Sequence, residues 1–238
     1  RIFEDLVSRN DIDKSVLLRL EWLYLPILVS YNSVYKPNLL HEELATNPDL
    51  FIKVLGWVYK SDKENEDREE ISDIVKSNRA RNSYELLRSW KRIPGVDKEG
   101  KIDEDLLRNW ITKVREMAEH SGRLQVADIH IGHILAEYPE KDEPWPPKEI
   151  CKIIDSIDTK SIKSGFSTAL FNKRGLSTRG PFDGGNIERG HALYFRSQAD
   201  KVKFDFPKTA EVLYHLATGY EEDAKRMDEM AERDKLDN

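Results

Sequence analysis

The chain has a single cysteine, Cys151, among 238 residues. That excludes an internal disulfide and any cysteine-based zinc site, and it suits a reducing compartment, the cytoplasm. Long apolar runs are also missing. The longest, Leu23 to Val29, contains Pro26, whereas a membrane-spanning helix needs about 20 apolar residues. No secretory leader pattern opens the sequence. Basic excess is absent too: the formal charge is −6, so the chain as a whole does not match the phosphate backbone of a nucleic acid. The phosphate-cradling, nucleophile-elbow and dinucleotide-binding glycine motifs do not occur. Glycine is scarce outside one stretch, residues 165–190, which holds Gly165, Gly175, Gly180, Gly184, Gly185 and Gly190.

What is present is charge and helical periodicity. Charged residues make up 34% of the chain, above the roughly 25% of average soluble domains, as expected where many helices turn a face to water. From Val16 to Tyr31 apolar residues follow 3.6-residue spacing, and Leu18, Trp22, Leu25 and Val29 fill the other side. This pattern predicts a helix buried all round and bent at Pro26. Asn47-Pro48 is a helix start, with Asn as cap and Pro at the first helical position. The acidic segment Asp62 to Glu70 reads as an exposed connection or a helix start. A helical pattern resumes at Ile71, falters at Ser77 to Arg81, and restarts at Asn82, which with Glu85 resembles a capping box.

Ile93 to Gly100 is the clearest loop and marks a sub-boundary near residues 93–101 of an otherwise single helical domain, 1–238. Asp103 caps an amphipathic helix that Ser121-Gly122 ends. Val126 to Ala136 reads as a helix, with a strand as the alternative. Pro139 to Pro147 is a rigid linker that Trp145 can anchor. Helices at Lys148 to Ile157, Thr159 to Phe171 and Ile187 to Val202 follow, and Pro207 starts the last. In that last segment Phe206, Leu213, Tyr220 and Met227 recur every seven residues, with Ala210, Ala217, Ala224 and Ala231 between them. One large row and one alanine row let a neighbouring helix come close, and docking within the domain is favoured over self-association. The fold class these patterns predict is all-α, an irregular multi-helical array of antiparallel helix pairs. The start at Arg1, directly in helix-like sequence, suggests a fragment of a longer protein.

Several segments together resemble the C-terminal helical region of large uncharacterised bacterial proteins associated with ATP binding or phage defence. The residues that carry the resemblance include Leu20-Glu21-Trp22, Asn82-Ser83-Tyr84, Ser121-Gly122-Arg123-Leu124, Asn172-Lys173-Arg174-Gly175 and Gly184-Gly185 with Glu188-Arg189. It extends from about Leu20 to Tyr220. What it implies is an accessory helical region of a larger bacterial protein, with no reaction attached. His130 and His133 stand where that group has polar residues other than histidine, which counts against a shared metal site.

The candidate binding residues are Arg174, Arg179, Asp183, Glu188 and Arg189 in the glycine-rich stretch. Backbone N–H groups and guanidinium forks there can hold a phosphate, a carboxylate or an acidic partner. Read structurally, the glycines are helix ends, Asn186 caps the next helix, and Arg179 and Arg189 pair with Asp183 and Glu188. His130-x-x-His133, with Asp128 and His120 nearby, lacks a third ligand of recognisable spacing. Arg115 to His120 and Arg123 to His130 match the spacing found in a class of helical ribonucleases, a match that chance supplies. No catalytic residue, cofactor or metal is therefore assigned. The favoured function is a non-catalytic interaction or sensor module, its partner a protein or a neighbouring domain of the same chain. A nucleic-acid-binding module using the Gly/Arg loop, and a helical nuclease or metal hydrolase, are the alternatives.

Overall fold

A computed structural model describes residues 2–9, 11–30, 33–63, 71–140, 144–175, 180 and 184–236. Among them are twelve α-helices and no β-strand, only an isolated bridge between Val96 and Ile102. The all-α expectation is met. The chain divides into two compact units, Arg1–His130 and Ile131–Asn238. The division falls inside a helix, and the Ile93–Gly100 loop lies within the first unit.

Unit 1 contains α1 (Ile2–Ser8), α2 (Lys14–Leu23), α3 (Leu25–Leu28), α4 (Asn38–Thr46), α5 (Pro48–Val58), α6 (Asp73–Ser89), α7 (Glu104–His120) and the first part of α8 (Leu124–Leu135). Its core is built on Phe51, which packs against Trp90 at 5.6 Å and Trp110 at 5.2 Å between ring centroids. Both indoles find acceptors: Trp90 Nε1 donates to the His41 carbonyl and Trp110 Nε1 to that of Leu44. Large aromatic rings can therefore be buried here without stranding a donor. The predicted caps form, Asn47 Oδ1 accepting from Leu50 N and Asp103 Oδ1 from Leu106 N.

Two sequence expectations fail in this unit. The predicted break at Ser77–Arg81 does not occur; α6 runs unbroken through Asn82. Instead of capping, Asn82 donates its amide to the Trp22 carbonyl, a tertiary contact that local pattern cannot show. The helix expected to be buried all round is divided at Tyr24, and one side is open. Leu23 is 66% exposed, Ile27 64% and Val16 46%.

Unit 2 contains the remainder of α8, α9 (Lys148–Ile157), α10 (Lys160–Lys173), α11 (Asn186–Val202) and α12 (Pro207–Leu236). Trp145 is buried and stacks on Phe166, so the proline-rich linker is anchored as its sequence suggests. The α11–α12 pair is antiparallel. Asp200 meets Tyr214, Arg196 meets Glu221 and Arg189 meets Asp228, partners moving up one helix as they move down the other. The alanine row packs inside this unit: Ala210, Ala217, Ala224 and Ala231 are all buried, as are Leu213 and Tyr220. The start of α12 is closed from outside the helix. Asp155 on α9 accepts from Lys208 N, Thr209 N and Thr209 Oγ1 at 2.9, 2.8 and 2.6 Å, satisfying donors that every helix N-terminus leaves over.

Candidate functional site

The glycine-rich stretch is described in part. Arg179 and Asp183, two of the predicted binding residues, lie outside the described residues. Gly175 follows α10 with φ +67°, the left-handed turn in which helices commonly end. Gly185, rather than Asn186, occupies the cap position of α11; Asn186 is the first helical residue, and its Oδ1 accepts from Arg189.

Arg189 does not turn to Glu188, which differs from the expected pairing. Adjacent residues on a helix point about 100° apart and cannot face each other. The Arg189 guanidinium instead meets Asp228 on α12 at 2.7 Å, and Asp228 Oδ1 also accepts from Gly185 N at 2.9 Å. Those two contacts hold the carboxyl of Asp228 below the usual range, the Arg189 bond being the larger cause. Arg174 lies over the rings of Phe171 and Tyr220, at 4.3 and 5.7 Å, and 3.9 Å from Glu188 Oε1. The buried Tyr220 ring also stacks with His191 and Phe195. Of the predicted residues, the structure thus brings Arg174 and Glu188 together and ties Arg189 to a residue the sequence did not single out. These contacts order the start of α11.

The histidine and arginine patterns resolve into separate roles. Within unit 1 Asp128 is taken by Arg115 at 2.8 Å, His120 Nδ1 contacts the Glu116 carbonyl, Arg123 donates to the Tyr59 carbonyl, and His130 Nε2 meets Tyr59 Oη at 3.1 Å. Among the described residues no three of His, Cys, Asp and Glu gather at metal-ligand spacing.

A different feature stands out on unit 1, an open apolar groove of about 750 Å³. It lies between α2 and α5, beside the start of α4. α4 starts at Pro37 without a side-chain cap of its own, and Glu21 of α2 supplies one. Its Oε2 accepts from Leu40 N at 2.8 Å, and its Oε1 accepts from Leu39 N at 3.3 Å and Tyr35 Oη at 2.6 Å. Burial pushes the Glu21 carboxyl up, and these three bonds oppose that shift. A carboxylate at a helix N-terminus meets both orphan N–H groups and the positive end of the helix dipole. The Asn82–Trp22 bond ties the same end of α2 to α6.

The groove runs between two ends that the contacts define. At one, Lys14 Nζ and Asn47 Nδ2 each donate to Glu43 at 3.2 Å. At the other, the rings of Trp22 and Trp57 meet at 5.7 Å, with the Arg79 guanidinium 4.8 Å over Trp57. The floor is Leu40, Val54 and Leu86, all buried. The walls are Val16, Leu20 and Leu23 on α2 and Leu50 and Trp57 on α5. Sequence reading missed these residues as a site, because it assigned their apolar excess to a buried helix. The signal was present: apolar residues on every side of α2 and α3 exceed what one small core can cover.

Among the described residues, no helix is long and apolar enough to cross a membrane. Comparison of the chain with protein-family models, with curated proteins and with solved structures gives no match.

Proposed function

We propose that this chain is a non-catalytic helical interaction module whose working surface is the apolar groove of unit 1. The carrying observation is the open wall of α2, where Leu23 is 66% and Val16 46% exposed beside a floor of buried Leu40, Val54 and Leu86. Isolated exposed apolar residues are ordinary, but a row of them lining a concave surface is a binding feature. Val16, Leu20 and Leu23 follow the i, i+4, i+7 spacing, and so do Leu50, Val54 and Trp57. Two such rows match the apolar stripe of an amphipathic helix laid between them. The openness of the wall favours a segment that presents one face over a small ligand, which a pocket would have to enclose. The resemblance to accessory regions of larger bacterial proteins agrees with this role, with the partner helix contributed by another protein or by a neighbouring domain.

The test is a dye-labelled helical peptide with leucines at i, i+3, i+4 and i+7 and uncharged flanks, read by fluorescence anisotropy. Saturable binding with Kd on the order of micromolar is expected. Leu23→Asp should weaken it at least about ten-fold, since a desolvated carboxylate would face the partner, while the thermal melt stays unchanged. Absence of saturable binding, or equal binding by Leu23→Asp, would overturn the proposal.

A further inference from the structure

We draw no further inference here: the strongest candidate, the rim of the apolar groove between α2 and α5 of unit 1, belongs to the surface already described, and nothing in the structure shows which partner covers it.

Discussion

A close backbone approach in unit 2 sets up a paired substitution with opposite expected signs. Gly185 sits against α12: a Cβ built on it would lie 2.2 Å from the Ala224 carbonyl oxygen and 2.5 Å from Ala224 Cα. Neither atom belongs to a side chain that could rotate away. The φ of Gly185 is −91°, open to any L-residue, so Gly185→Ala introduces a clash and little backbone strain. Relief requires α11 and α12 to separate along the alanine row, loosening Leu213, Ala217 and Tyr220, all buried. The cost belongs at the upper end of overpacking, about 3 kcal/mol, or a fall in Tm of roughly 6–12 °C for a chain of this size. Five residues on, Gly190 lies within α11, and a Cβ there meets nothing within 4 Å. Gly190→Ala should instead stabilise by about 0.5–1 kcal/mol through helix propensity and a less flexible unfolded chain. Thermal and urea melts followed at 222 nm read both. A Gly185→Ala protein as stable as the parent, or the two variants shifting in the same direction, would refute the close packing of α11 on α12.

Other outcomes follow from buried groups. His41 is buried in unit 1, its Nε2 meeting Ser89 Oγ, and burial foremost, then the Lys91 charge, pushes its pKa down to about 4. Between about pH 6.5 and 4 the unfolded chain binds a proton there that the folded chain refuses, so this histidine makes stability fall as pH falls through that window. From pH 7 to 5.5 His41→Gln should lose about 1 kcal/mol less than the parent, measured by urea melts at the two pH values. Cys151 is buried, donates to the Pro146 carbonyl, and its thiol is pushed up to about 12, mainly by burial. A disulfide thiol reagent should therefore leave it unmodified in the native protein at pH 8 and label it once urea unfolds the chain. Asp155→Ala, which removes the outside cap of α12, should cost about 1–2 kcal/mol in the same melts.

Much of the fold was legible because helix boundaries are written locally. Asn47-Pro48, Asp103, Thr159 and Pro207 start helices where their cap chemistry says, and the seven-residue alternation of α12 correctly implied an alanine face packed against a neighbour. What failed depended on partners far along the chain. Asn82 looked like a cap, but its amide serves the Trp22 carbonyl 60 residues away. Arg189 looked like a partner for neighbouring acids, but its direction on α11 takes it to Asp228. The groove was the least legible feature. Periodicity reports that Val16, Leu20 and Leu23 share a face, not whether another helix covers it. Glu21 gives its carboxylate to the start of α4, and the floor between α2 and α5 is left open. No local pattern marks a cap supplied by a residue so far from the helix it closes.

The five tryptophans offer the most direct measurement of the central claim, because their indole N–H groups give separate signals in a proton–nitrogen correlation spectrum. Trp22 and Trp57 line the groove, while Trp90, Trp110 and Trp145 are buried in the cores of the two units. On titration with the leucine-striped helical peptide, the account predicts progressive, saturable shifts of the Trp22 and Trp57 signals, with the other three fixed. Fixed Trp22 and Trp57 signals under saturating peptide, or shifts confined to residues around Arg174 and Tyr220, would contradict it and move the working surface to the Gly/Arg segment.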